Sequence, residues 1–77
     1  MRLQNLARNF HLLHLEHALV WFSYATPVAF ETDSTGLVIR ENSGGPTTSK
    51  HLNSISPDKS RRVSALEFEK ALENLHL

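Results

Sequence analysis

The sequence predicts an α+β domain: a short antiparallel β-meander of three to four strands packed against an N-terminal and a C-terminal helix. Three observations predict it. Residues 18 to 40, ALVWFSYATPVAFETDSTGLVIR, hold the single Trp, the single Tyr and two of the four Phe, in a β-branched and aromatic pattern that suits a pleated surface. Leu3, Leu6, Ala7, Phe10 and Leu13 recur at spacings of three and four, the stripe of an amphipathic helix. Ser64-Ala65-Leu66-Glu67 reads as a capping box ahead of an apolar run.

The predicted N-terminal helix covers residues 2 to 17, with Arg2, Gln4, Asn5, Arg8 and Asn9 filling its polar face. A helix this short with one apolar stripe is not stable alone, so it must dock, on the sheet first of all. A second copy of the chain or a membrane surface are the alternatives, the last poorly supported by two Arg and a short apolar face. His11, His14 and His17 stand near Glu16 and invite a metal reading. On a helix the outer two point well apart, and no H-E-x-x-H occurs, so surface or capping histidines are expected and no metal. A pH-responsive histidine patch is the other use for them.

Period two in residues 18 to 24 puts Leu19, Trp21 and Ser23 on one face and Ala18, Val20, Phe22 and Tyr24 on the other. Both faces are apolar, so such a strand is covered on both sides by the chain itself or by a partner. Ala25-Thr26-Pro27 interrupts the run, because Pro27 lacks an N–H and turns the chain or starts an edge strand. Residues 28 to 32 are the second strand. Asp33-Ser34-Thr35-Gly36 is the clearest turn, with Gly36 free to take positive φ, and residues 37 to 40 are the third strand. Connections this short imply antiparallel sequential pairing.

Glu41 to Pro46 is a loop by its Gly-Gly-Pro composition, and it is not a Walker A loop because Gly45 is followed by Pro46 rather than Lys. In Thr47-Thr48-Ser49-Lys50-His51-Leu52-Asn53-Ser54-Ile55 one helical turn is expected, anchored by Leu52 and Ile55, with Lys50, His51 and Asn53 left accessible. Residues 56 to 60 read as a turn or a one-turn helix capped by Ser56. Arg61-Arg62-Val63 adds a short fourth strand, and residues 64 to 76 form the C-terminal helix, with Phe68, Ala71, Leu72 and Leu75 on its apolar stripe.

At 77 residues the chain is expected to form a single small domain over residues 1 to 77, and such a domain buries roughly 60% of its unfolded surface. With no Cys there is no disulfide staple. Eight basic residues balance eight acidic ones, which counts against binding that works mainly by neutralising phosphates and permits self-association. The chain has no run of 18 apolar residues such as a membrane span needs, and MRLQNLARNF lacks the apolar core of a signal peptide, so a cytoplasmic protein that avoids the membrane is expected.

Nothing in the sequence assembles a catalytic set. Ser49 and His51 fall on different faces of a helix or turn, and Glu31, Asp33 and Glu41 flank turns, so neither nucleophile with base nor paired carboxylates are expected, and no cofactor. The expected role is non-enzymatic: an interaction or regulatory protein, contacting a protein partner or a second copy through Trp21, Phe22 and Tyr24 of the sheet and Thr48, Lys50, His51 and Asn53 of the polar run. The alternative is a nucleic-acid-binding module in which Arg40, Lys50, His51, Arg61 and Arg62 surround an exposed aromatic on which bases stack.

Two blocks, Trp21 to Phe30 (W-F-S-Y-x-T-P-V-A-F) and Thr47 to Asn53 (T-T-S-K-H-L-N), resemble a small domain of unknown function found among bacterial and phage proteins. The resemblance covers roughly residues 15 to 76. It implies a phage or mobile-element origin and a small regulatory or host-interacting role, and it assigns no residue a function.

Overall fold

The computed structural model describes residues 1–42 and 45–74. In chain order the elements are β1 (Arg2–Ala7), β2 (Phe10–His14), β3 (Ala18–Ser23), β4 (Thr26–Thr32), β5 (Gly36–Arg40), α1 (Pro46–Ile55), a single 3-10 turn (Lys59–Arg61), β6 (Arg62–Val63) and α2 (Ala65–Glu73). The six strands stand in chain order in one sheet. β1 to β4 pair antiparallel and β6 pairs parallel with β5, so the sheet is mixed.

This corrects the predicted architecture in two ways. Among the described residues the strands number six rather than three to four, and no N-terminal helix is present; both helices follow β5. The residues read as a helical stripe form a hairpin instead. Phe10 and Leu12 alternate onto one face of β2 and are buried there, while the same Leu and Phe residues also happen to satisfy a helical spacing. Pairing with the aromatic β3 decides between the two periods, because local propensity is weak beside a ladder of backbone hydrogen bonds and cross-strand packing. Reversal without glycine is possible because Asn9 takes φ 58°, a conformation that its short polar side chain tolerates.

The chain divides into two compact units, Met1–Leu37 and Val38–Leu77. In the first, registers run Leu3 opposite Leu13, Leu13 opposite Val20 and Val20 opposite Phe30. Val20, Val28, Ala29 and Phe30 are buried to 2% exposure or less. The register slips once between Trp21 and Phe22, where Val28 is the extra residue of β4 and Pro27 stands next to it opposite Phe22, a position beside a bulge that suits proline. In the turn after β4 the Thr32 hydroxyl accepts the Thr35 N–H at 3.1 Å, and Gly36 takes φ 67°. No atom lies within 4 Å of where its Cβ would be, so the turn needs glycine for its φ and not for space.

In the second unit Ile39, Leu52 and Phe68 are buried. α1 runs ten residues rather than one turn, so its inward stripe is Thr48, His51, Leu52 and Ile55 at three and four spacing. α2 begins as predicted: the Glu67 N–H donates to Ser64 Oγ at 3.2 Å, and the Ser64 hydroxyl lies 3.4 Å from Glu67 Oε1. Leu66 is 62% exposed, outside the stripe. Ser43 and Gly44 of the predicted loop and Leu75 of the predicted helix lie outside the described residues.

Candidate functional site: an aromatic turn beside an open strand

β3 delivers three aromatics to different surroundings. Trp21 and Phe22 are neighbours on a strand and face opposite sides, Trp21 opposite Leu12 and Ala29, Phe22 opposite His11 and Pro27. Each is half-buried. Ser23 is buried, and the chain then turns at Tyr24, which is 52% exposed and held at φ 59°. Its N–H donates to the Asn9 carbonyl at 2.6 Å. That bond ties the β3–β4 turn to the β1–β2 turn, so the exposed ring stands at the same end of the unit as Arg8 and Asn9. A bulky residue in left-handed backbone costs about 1–2 kcal/mol, and glycine would carry no such cost.

β1 is the second part of this surface, and sequence reasoning missed it. All six of its residues are exposed, Leu3 at 62% and Leu6 at 38%. Among the described residues its one ladder partner is β2. The signal that could have found it is the Arg8-Asn9 pair, which punctuates the stripe at a point where a helix needs none. On β1, Arg2 Nη2 stands 3.2 Å from His14 Nε2, and the same ring nitrogen stands 2.9 Å from Gln4 Oε1.

The polar run lies in the other unit and does not present itself as expected. Lys50 and Asn53 are exposed, but His51 is 7% exposed and belongs to the inward stripe of α1, and Thr48 is half-buried. Arg62 Nη2 donates to Asn53 Oδ1 at 2.9 Å and reaches the Ser56 carbonyl at 3.4 Å, so this pair fastens the end of α1. Arg40 is half-buried on β5 and Arg61 is exposed. Of the five groups proposed for nucleic acid, His51 is thus buried and Arg62 is engaged within the fold. Asp58 caps the 3-10 turn: its carboxylate accepts the Ser60 hydroxyl at 2.6 Å and the Ser60 N–H at 3.0 Å. These bonds, the hydroxyl first, hold its carboxyl below the ordinary 3.8.

A shallow hollow of about 440 Å³ in the first unit is bordered by Glu16, His17, Glu31, Thr32 and Asp33. His17 Nε2 lies 3.8 Å from Glu16 Oε1, both side chains almost wholly in water, a pairing that contributes little. Among the described residues no three His, Asp or Glu side chains are placed to share a metal ion.

The model of a family of unknown function (DUF8033) matches residues 1–70. The chain belongs to that family. No curated protein and no solved structure matches it. The DUF8033 match starts at residue 1, so β1 and β2 are part of the family's domain, whereas the resemblance read from the two sequence blocks began near residue 15. Among the described residues of this DUF8033 member no helix is long and apolar enough to cross a membrane.

Proposed function

We propose that the chain is a small non-enzymatic interaction protein whose contact with a protein partner centres on the ring of Tyr24. One observation carries this reading: a tyrosine occupies a strained left-handed turn position and still keeps half its surface in water. Strain of this kind persists where the surrounding structure enforces it and concentrates at functional sites. Interface centres favour Tyr and Trp, which bring a large apolar area and one polar handle at small entropic cost. The resemblance of the two sequence blocks to bacterial and phage proteins supports a regulatory or host-interacting role.

A photo-crosslinking residue at position 24, with the same residue at exposed Leu66 as the control, tests the proposal in a bacterial lysate. The expected result is one protein adduct at position 24, competed away by unlabelled parent and not by Tyr24→Ser. No adduct at 24, or the same adducts from both positions, removes the reading. Saturable single-stranded DNA binding at about 50 mM salt, lost when Arg40, Lys50 and Arg61 are neutralised, would replace it with the nucleic-acid reading.

A further inference from the structure

We infer that β1 is an acceptor edge to which an extended acidic peptide adds as a further strand, its carboxylates on the Arg2 side and its apolar residues on the Leu3 side. This deepens the interaction reading above and rests on it. Three features of the first unit converge on that occupant. A six-residue edge strand with every residue exposed offers a row of backbone donors and acceptors, the arrangement that strand addition uses. Natural edges are blunted by proline, brevity, inward charge or bulges; β1 has no proline and is not short, and its one irregularity, between Asn5 and Ala7, leaves Arg2 to Asn5 as a regular stretch of open edge.

The second feature is an interrupted apolar row. Leu3, Leu13, Val20 and Phe30 lie opposite one another across four strands, and exposure rises from 0% at Val20 and Phe30 to 62% at Leu3. An apolar residue on an added strand continues this row and covers Leu3. Charge is the third feature. Residues 1 to 15 contain Arg2, Arg8, His11 and His14 and no Asp or Glu, the first acid being Glu16. Since side chains alternate, Arg2 and Gln4 face the side opposite to Leu3. A peptide alternating acidic and β-branched residues therefore meets Arg2 with one face and extends the Leu3 row with the other. A second copy of the chain fits less well, because its own β1 hairpin would bring the same cations alongside with no acid to offset them.

The test uses the full chain and a fluorescein-labelled hexapeptide alternating Glu and Val. Two control peptides share its length: one has Lys for Glu, and one has its three Glu contiguous. The alternating acidic peptide is expected to bind roughly tenfold tighter than either control and to weaken as salt rises. Alternate β1 amides, those not already bonded to β2, gain protection from hydrogen exchange when it binds. Arg2→Glu and, separately, Arg8→Glu weaken binding while the melting temperature stays that of the parent. Equal binding of the contiguous-Glu peptide reduces the effect to bulk charge and overturns strand addition, as does protection that appears outside β1. A concentration-dependent mass with β1 protected in the absence of peptide makes a second copy the occupant and also overturns it. If the peptide fails while position 24 still crosslinks a protein, strand addition falls and the interaction reading stands; if both fail, both fall.

Discussion

The two outer strands of the sheet are built on opposite rules. β1 is six residues long, antiparallel to its neighbour and exposed throughout. β6 is two residues long, parallel to β5, and enclosed in sequence by the 3-10 turn and α2. Its Arg62 is drawn into hydrogen bonds with Asn53 and Ser56, and the Glu41 N–H donates to the Val63 carbonyl at 2.7 Å. Brevity and a charged, engaged side chain are standard protection for a sheet edge. β1 also has a charged side chain with a partner, Arg2 beside His14, and one irregularity between Asn5 and Ala7, but it lacks the brevity of β6 and keeps six exposed residues. An exposed edge as long as β1 is therefore not an unavoidable result of small size, since the same chain ends its sheet on the other side with a strand of two residues.

The largest effect expected from that contrast separates the scaffold of the second unit from the bare strand of the first. Leu52→Ala, at a site with 0% exposure, should cost about 2–5 kcal/mol through the cavity it leaves, a large share of the stability of a small domain. Leu3→Ala should change stability by about 0.5 kcal/mol or less. Urea denaturation of both variants measures the gap, and a Leu3 cost matching that of Leu52 would mean that β1 is packed rather than bare.

The adjacent pair Lys50 and His51 gives a smaller split within one helix. His51→Ala should lose about 1–3 kcal/mol by stranding whatever polar groups its burial serves, whereas Lys50→Ala should stay within about 0.5 kcal/mol. Equal, negligible losses would return His51 to the surface role that the sequence suggested. Tyr24→Gly has the opposite sign. It relieves left-handed strain and should raise stability by about 0.5–1 kcal/mol, while failing, like Tyr24→Ser, to compete the position-24 adduct away; a destabilised glycine variant would show that the ring is held by packing and not by function.

The smallest effect belongs to the turn that leads into β6. Asp58 has a folded-state pKa below its ordinary value of 3.8, so its contribution is fully present above 3.8 and is lost as pH falls through the lower folded value. Thermal melts of the parent and Asp58→Asn should therefore differ above that range and converge toward its acid end. A difference that persists unchanged into strong acid would show that the carboxylate's charge plays no part in the cap.

Legibility followed how far each signal depended on local chemistry. The strands over residues 18 to 40 emerged close to their observed bounds because β-branched and aromatic runs were bracketed by Pro27 and Gly36. The box at Ser64 and Glu67 was read correctly because a cap needs only four residues. The N-terminal hairpin was not legible, since Leu3, Phe10 and Leu13 fit both periods and only pairing with β3 chooses between them. His51 reads as accessible only if the polar run is a single turn; in the full length of α1 the histidine falls on the same stripe as Thr48 and Ile55. The strain at Tyr24 could not be foreseen, because left-handed backbone is ordinarily announced by glycine, asparagine or aspartate.

His14 carries a consequence for chemistry at the bare edge. Its Nε2 approaches both an arginine donor and an amide oxygen, yet one ring nitrogen holds either a proton or a lone pair. With the proton on Nε2 the ring donates to Gln4 and has nothing to offer Arg2. With the proton on Nδ1 its Nε2 lone pair accepts from Arg2, and the Gln4 oxygen then has no proton to accept from the ring. Arg2 is therefore bound or released according to which tautomer the imidazole adopts. A carboxylate that captured the guanidinium from outside would remove the donor that needs the Nε2 lone pair and leave Nε2–H to donate to Gln4, so the nitrogen resonances of this one ring would register occupancy of the strand beside it.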